Sequence, residues 1–180
     1  VGIFLVTGLY MKDASGVADW RFALATVSGL ILAIVIGELT NWYTHVNKPP
    51  VTEIAHSTKT GPATMILSGL AQGMESSVWS VMAIGGSILA SFVIFAGDPA
   101  LGAYGIALAG LGLLTTTGYI LAMDTYGPIS DNANGVFEMS GTDPAQYPNA
   151  TKIVAQLDSV GNTTKALTKG FAIATAVLAA

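Results

Sequence analysis

Long uncharged stretches alternate along the chain with shorter polar segments, and three of these stretches have the length of a membrane-spanning helix. Residues 76–97 and residues 99–123 contain no charged side chain over 22 and 25 positions. A third stretch, residues 20–43, has an uncharged interior and carries Trp or Tyr at both ends. A helix needs about 20 mainly apolar residues to cross a bilayer, and aromatic side chains concentrate at the two interfaces. The pattern therefore predicts three membrane-spanning helices.

The apolar character continues to both ends of the chain, which opens with VGIFLVTGLY and closes with GFAIATAVLAA. We therefore expect an all-α membrane protein, a multi-pass transmembrane helical bundle with about three full spans plus truncated helices at both ends. We expect residues 1–180 to be one internal part of the transmembrane domain of a larger protein, without a separate soluble domain. No basic segment with a cleavage site precedes the first apolar run, so we predict no signal peptide.

The composition agrees with a membrane protein. Charged residues make up 10% of the chain and hydrophobic residues 52%, and the mean hydropathy is +0.60. A soluble domain has about 25% charged residues. The net charge of −4 gives no reason to expect a nucleic-acid partner, and the absence of Cys excludes thiolate metal sites.

The connections between the apolar stretches predict an orientation. Residues 44–61, which contain a Pro-Pro pair and read as a loop, and residues 135–170 both carry lysines, whereas the tight turn at residues 97–99 has no basic residue. Basic residues favour the cytoplasmic side, so the two longer connections are predicted to be cytoplasmic and the turn external. Lys12 and Arg21 then lie near the external side and weaken this bias.

Two further segments complete the predicted organisation. Residues 61–97 exceed an ordinary span, so the part from residue 61 to residue 74 is predicted to be a helical extension beyond the bilayer. Residues 141–156 contain two prolines and predict a surface loop that leads into a short helix. Asn162 or Thr163 would then cap the helix that follows.

Carboxylates recur at a spacing of seven at the end of the third apolar stretch. Asp124, Asp131 and Glu138 would form one axial stripe if the helix continued through Pro128, because seven residues make nearly two full turns. Such a stripe is an edge that could face a metal ion. A proline can also kink a membrane helix where it lines a cavity.

A second polar group lies downstream, where Asn162, Lys165 and Lys169 fall at i, i+3 and i+7 on one helical face. Oxygen ligands together with lysines suit a phosphate polyanion, since Mg²⁺ held by carboxylate and amide oxygens can bridge it and ammonium groups can neutralise it. The alternative is a solvated polar face near the membrane surface. Spacing alone does not decide between the two.

Two long motifs decide in favour of the phosphate site. The segments MDTYGPISDNANGVFEM, residues 123–139, and GNTTKALTKGFA, which starts at Gly161, closely resemble the membrane-bound, ion-pumping inorganic pyrophosphatases. Residues 38–76, which include PVTEIAHSTKTGPAT and GLAQGMES, are similar to the same family. The resemblance therefore covers nearly the whole chain.

The resemblance implies a homodimer of many-helix subunits in the lipid bilayer, each about four times the length of this chain. A cytoplasmic funnel would bind Mg-pyrophosphate, and its hydrolysis would be coupled to transport of H⁺ or Na⁺. By this similarity Asp131 and Asn162 would be Mg²⁺ ligands, and Lys169 would contact pyrophosphate. Asp124 would lie deeper in the funnel, where it would position the attacking water or link hydrolysis to the ion path.

Lys165 indicates which subclass of this family the chain resembles. The resemblance implies that potassium-dependent members have Ala at this position and potassium-independent members have Lys, and Leu167 and Thr168 complete the TTKALTKG form of the independent subclass. An ammonium beside pyrophosphate can replace the electrostatic effect of K⁺. Lys165 is thus a predicted substrate-binding residue, and H⁺ is the implied ion. A Na⁺-translocating pyrophosphatase, a non-enzymatic ion channel or transporter, and a structural membrane protein are the alternatives.

The resemblance also implies that further acidic substrate motifs come from helices outside these 180 residues. A polyanion site needs ligands from several helices, so the 180 residues alone are predicted to be inactive. The predicted location is an integral, multi-pass position in a bacterial inner membrane, or in an acidocalcisome or vacuole-type membrane if the source is eukaryotic.

Overall fold

The computed structural model describes residues 1–180, and the chain is mainly helical without a β-strand. Two short 3₁₀ turns interrupt the helices, at Thr58–Thr60 and Leu114–Thr116. In chain order the seven α-helices are α1 (Gly2–Tyr10), α2 (Arg21–Thr44), α3 (Pro49–Ser57), α4 (Pro62–Ile94), α5 (Pro99–Leu113), α6 (Thr117–Met139) and α7 (Pro148–Ala179).

Three helical stretches are long and apolar enough to cross a membrane, namely Arg21–Thr60, Pro62–Ile94 and Pro99–Met139. They cover the three predicted stretches to within a few residues at the ends, so the all-α membrane fold is confirmed. α4 has 33 residues, which at 1.5 Å per residue makes it far longer than the roughly 30 Å hydrocarbon core. The predicted helical extension ahead of residue 75 is therefore present as the first part of α4.

One compact unit comprises Val1–Gly37, Trp79–Thr116 and Phe171–Ala180. Aliphatic side chains from α2, α4, α5 and α7 form its main buried cluster: Leu32, Ala33, Ile36, Ile84, Leu113, Ala174 and Leu178. Near the turn between α4 and α5, a second cluster forms around Ala25, Phe95 and Leu108.

Glycines in this unit bring α2 and α5 into backbone contact. A Cβ added to Gly29 would overlap the carbonyl of Ala109, and one added to Gly112 would overlap the carbonyl of Thr26. Small residues permit such close approach between membrane helices, where dispersion contacts rather than a hydrophobic effect hold helices together.

The predicted turn between α4 and α5 is also present. The Asp98 side chain accepts hydrogen bonds from the backbone N–H groups of Ala100 (2.9 Å) and Leu101 (3.1 Å), and Pro99 begins the helix. An Asp cap followed by Pro in the first turn is a strong helix start. Gly97 has φ of +99°, a conformation that glycine adopts without steric cost.

The second unit comprises Glu38–Val78 and Thr117–Gly170. It includes α3, the end of α2, the first half of α4, all of α6 and most of α7. The Tyr43 hydroxyl donates a hydrogen bond to Glu75 Oε1 at 3.0 Å, which links the end of α2 to α4. All the polar residues that the sequence motifs single out as site candidates lie in this unit.

The prediction that residues 44–61 form a loop was wrong, because α3 occupies Pro49–Ser57. The two prolines stand in the first turn of this helix. Proline suits that position, since the first N–H groups of a helix have no partner within it and the fixed φ is already helical. The Pro-Pro pair therefore starts a helix here and does not mark a turn.

The uncharged run at residues 99–123 is not one uninterrupted helix. α5 ends at Leu113, and the 3₁₀ turn Leu114–Thr116 joins it to α6. The Thr115 hydroxyl donates to the carbonyl of Gly112 at 2.8 Å. A Thr hydroxyl that bonds to a carbonyl three residues earlier offers the backbone an alternative to the regular helical ladder, which fits the change of helix type here.

The predicted short helix and new cap at Asn162 were also wrong. α7 runs without a break for 32 residues from Pro148, so Asn162 and Thr163 lie in its interior. The Thr163 hydroxyl lies 3.4 Å from the carbonyls of Ser159, one turn earlier, and of Thr44. The Gly-Asn-Thr sequence suggested a helix boundary, but tertiary packing keeps it helical.

We expect Gly29→Ala to lower the stability of the full-length protein, because the added methyl must push α2 away from the Ala109 carbonyl. Overpacking of this kind costs about 1–3 kcal/mol. Gly37→Ala is the matched control on the same helix, since nothing lies within 4 Å of its added Cβ. Thermal unfolding of the purified protein in detergent measures both, and an equal effect of the two variants would contradict the α2–α5 contact.

Candidate functional site

The two motif-bearing helices, α6 and α7, touch through glycines. A Cβ on Gly127 would lie 2.6 Å from Lys165 Cγ and 2.9 Å from the carbonyl oxygen of Gly161, and a Cβ on Gly161 would overlap Ser130 Oγ. The Ser130 hydroxyl itself donates to the Gly127 carbonyl at 2.9 Å. α6 continues through Pro128, which is the condition for the predicted stripe of carboxylates on this helix. The main chains of α6 and α7 are therefore in direct contact beside the candidate residues.

An ion pair joins the two helices at this contact. Lys165 Nζ donates to Asp131 Oδ2 at 2.7 Å, and it also lies 3.4 Å from Asn162 Oδ1. The structure thus brings together three of the residues that the sequence singles out. One ammonium group lies between a carboxylate oxygen on α6 and a carboxamide oxygen on α7.

Asp124 lies on the other side of the glycine contact. The Thr168 hydroxyl is 3.0 Å from Asp124 Oδ1 and 2.9 Å from the Lys165 carbonyl. Thr168 is buried, whereas Asp124 is exposed. Asp131 on α6 contacts Lys165 on α7, and the earlier residue Asp124 contacts the later residue Thr168. The two helices therefore run antiparallel here.

Lys169 and Glu138 do not join this group. Lys169 is exposed and makes no hydrogen bond or ion pair. Glu138 lies on α6 as predicted, but its Oε1 accepts from Asn134 Nδ2 at 2.9 Å on its own helix. The predicted stripe of three carboxylates is therefore on one helix, and two of its members, Asp124 and Asp131, contact α7.

Sequence reasoning missed two contributors to the site. Thr168 was noted only as part of the TTKALTKG form, although its hydroxyl contacts Asp124. Asp158 Oδ2 accepts from Asn162 Nδ2 at 3.2 Å, and its other oxygen, Oδ1, is buried without a partner. The signal for Asp158 was its position four residues before Asn162, which places the two side chains on one face of a helix.

The donor atoms suit a hard divalent cation as part of a larger site. Mg²⁺ prefers carboxylate and amide oxygens and usually keeps several water ligands, so one or two protein oxygens from each helix suffice. Asp131 and Asn162 offer such oxygens next to each other. No group of three or more His, Asp or Glu side chains could hold a metal ion by itself. The residues therefore fit a metal whose remaining ligands are water, substrate or other helices.

Comparison with known proteins identifies the family. All 180 residues match the family described as inorganic H⁺ pyrophosphatase. The chain belongs to the inorganic H⁺ pyrophosphatase family. The resemblance inferred from the two motifs is thereby confirmed, and it extends over every helix described above.

Individual relatives carry names that specify ion and potassium response. A protein of Chloroflexus aurantiacus, 50% identical over 94% of this chain, is named a K⁺-insensitive pyrophosphate-energized proton pump. One of Streptomyces coelicolor, 42% identical over the whole chain, has the same name. A Clostridium tetani relative, 42% identical over 99% of the chain, is named a putative K⁺-stimulated pyrophosphate-energized sodium pump.

This chain covers 22%, 24% and 26% of those three relatives. It therefore spans about a quarter of the length of the relatives that it matches. Residues outside these 180 can therefore contribute to the same site as α6 and α7.

We expect Gly127→Ala to disturb this site by forcing the α6 backbone away from the Gly161 carbonyl. The full-length protein should lose about 1–3 kcal/mol of stability. Gly135→Ala, also on α6, has open space around its added Cβ and should leave the stability nearly unchanged. Thermal unfolding tests this pair, and a fully stable Gly127→Ala protein would show that the close contact is dispensable.

Proposed function

We propose that this chain forms part of an ion pump that couples hydrolysis of inorganic pyrophosphate to phosphate with H⁺ translocation across a membrane. Mg-pyrophosphate would bind at cytoplasmic helix ends, in part on α6 and α7. The observation that carries the proposal is the Lys165 ammonium between Asp131 Oδ2 and Asn162 Oδ1, within a chain that belongs to the H⁺ pyrophosphatase family.

A carboxylate next to an ammonium group suits a phosphate polyanion better than carboxylates alone or ammonium groups alone would. Carboxylates by themselves would repel pyrophosphate, and lysines by themselves would not hold the divalent metal that the family implies. We propose Mg²⁺ as this metal, with Asp131 and Asn162 among its ligands. When bound, Mg²⁺ would neutralise charge on the phosphoryl oxygens and polarise them for attack.

Asp124 is proposed as the acidic group that positions the attacking water or begins the ion path. The hydroxyl of Thr168 contacts one of its oxygens, Oδ1, which holds the carboxylate in one orientation. The other oxygen then remains available to accept a hydrogen bond from water. A general base must lie within hydrogen-bond reach of the proton that it takes, so the attacking water would bind at this second oxygen.

Lys165 is proposed to replace K⁺. Its ammonium contacts a carboxylate and a carboxamide oxygen, which are the hard oxygen ligands that a monovalent cation would use. A covalently attached cation at this point would remove the need for a bound one, and the relatives named K⁺-insensitive proton pumps support H⁺ as the transported ion.

Sodium transport is the second candidate, because the Clostridium tetani relative named a putative sodium pump is 42% identical, the same level as the Streptomyces coelicolor proton pump. A non-enzymatic channel or transporter is a weaker candidate. It would not need an ammonium group held beside metal-type ligands.

We further propose a multi-pass homodimer as the working form, in a bacterial inner membrane or an acidocalcisome or vacuole-type membrane. The remaining metal and substrate ligands would come from helices outside these 180 residues. The 180 residues alone would therefore not hydrolyse pyrophosphate.

The decisive experiment measures pyrophosphate-driven acidification of vesicles that contain the full-length protein, with Mg²⁺ and without K⁺. We expect acidification in the wild type. Lys165→Ala should lose about tenfold or more of this activity without K⁺ and regain it when K⁺ is added.

Each other outcome points to a different function. Hydrolysis without acidification would indicate Na⁺ transport or uncoupled hydrolysis, which Na⁺ flux measurements would distinguish. Ion flux that does not require pyrophosphate would indicate a channel. A Lys165→Ala protein that stays potassium-independent would refute the proposed role of this lysine.

Lys169 provides a separate test of substrate binding. It is exposed and unpaired on α7 one turn after Lys165, so its ammonium is available to a bound anion. Lys169→Ala should reduce pyrophosphate hydrolysis about 10²-fold with little change in stability. Lys152→Ala removes another exposed lysine of α7 and should leave hydrolysis unchanged. Equal activity of the two variants would exclude Lys169 from the site.

A further inference from the structure

Four polar side chains form one continuous chain of hydrogen bonds across α7 and α6. Asn162 Nδ2 donates to Asp158 Oδ2 at 3.2 Å, Lys165 Nζ lies 3.4 Å from Asn162 Oδ1, and the same ammonium donates to Asp131 Oδ2 at 2.7 Å. Three of these residues are motif residues with proposed roles. The fourth, Asp158, has no role in the function proposed above.

The chemistry of the two neighbours determines which way the Asn162 carboxamide points. An ionised carboxylate can only accept hydrogen bonds, and an ammonium can only donate them. With Asp158 on one side and Lys165 on the other, the amide nitrogen must face Asp158 and the amide oxygen must face Lys165. The oxygen is therefore directed toward the position where Asp131 and a metal would meet it.

Asp158 does not behave as a solvated surface charge. Its Oδ1 is buried and has no hydrogen-bond partner, although buried polar atoms are nearly always paired. Leaving a carboxylate oxygen in this state opposes folding. The contact that connects this side chain to the site is made by its other oxygen, Oδ2, which accepts from Asn162 Nδ2.

We propose that Asp158 is a positioning residue, which fixes the Asn162 carboxamide so that its oxygen is presented to the cation in the site. Loss of a partner that orients a metal ligand in this way typically lowers metal affinity about 10–100-fold. This inference rests on the function proposed above, because it assumes that Asn162 Oδ1 binds the metal.

The test measures Mg²⁺ binding without substrate in the full-length protein. Addition of Mg²⁺ alone should raise the thermal unfolding temperature of the wild type along a saturable curve. Asp158→Ala should shift the Mg²⁺ midpoint of this curve upward by about tenfold. Asp158→Asn should shift it less, because its side-chain oxygen can still accept from Asn162 Nδ2.

A double-mutant cycle separates positioning from an independent role. If Asp158 acts through Asn162, then Asp158→Ala should add no further shift in an Asn162→Ala background. Glu53→Ala is the matched control, because Glu53 Oε2 accepts from Gln72 Nε2 at 2.9 Å, an equivalent carboxylate–carboxamide pair away from Lys165. It should leave the Mg²⁺ midpoint unchanged.

The possible results are distinct. An unchanged midpoint in Asp158→Ala, or shifts that add in the double variant, would overturn the positioning role while leaving the pump intact. A wild type that neither responds to Mg²⁺ nor hydrolyses pyrophosphate would overturn the proposed function, and this inference with it.

Discussion

The backbone contact between α6 and α7 at Gly127 and Gly161 is the constraint on which the site depends. With any side chain at either position, the two helices would have to separate, since the nearest atoms include a backbone carbonyl that cannot rotate away. At the observed separation, Lys165 reaches Asp131 directly. A short residue, Thr168, also reaches across to Asp124, and a hydroxyl on a single carbon could not do so over a wider gap.

The ion pair at this contact is unsuited to a mainly structural role. The side chain of Lys165 is 24% exposed and that of Asp131 is 56% exposed, so water competes for both charges. Pairs this accessible contribute little to folding stability. For the same reason they exchange partners readily, so the proposed Mg-pyrophosphate complex would take over the carboxylate and the ammonium without leaving an unpaired buried charge behind.

The membrane fold could be predicted from residue patterns because lipid imposes a simple rule: a spanning helix needs length and must lack charge. The helix boundaries were harder to predict. Pro49 and Pro50 in isolation indicate a turn or a helix start equally well. They start a helix here, because proline fits the first turn. The Gly161-Asn162 sequence suggested a boundary, yet glycine there serves tertiary contact inside an unbroken helix.

The residues of the candidate site could be predicted from the sequence, but the contacts between them could not. The motifs identified Asp124, Asp131, Asn162 and Lys165, and family resemblance supplied their expected chemistry. Which carboxylate contacts which residue depends on the antiparallel register of α6 and α7, about which a single sequence says nothing. Asp158 was overlooked for a related reason, since its importance lies in the orientation of a neighbour and in burial, neither of which spacing reveals.

Pro128 has a consequence for the backbone at the site. In an α-helix each N–H bonds to the carbonyl four residues earlier, and residue 128 has no N–H to offer the carbonyl of Asp124. α6 nevertheless continues through this position. Asp124 therefore presents two kinds of oxygen at one level of the helix: a side-chain carboxylate, and a main-chain carbonyl released from its usual donor. Such a local gap in the helical ladder is a place where a membrane helix can keep a water molecule at a depth that otherwise excludes it.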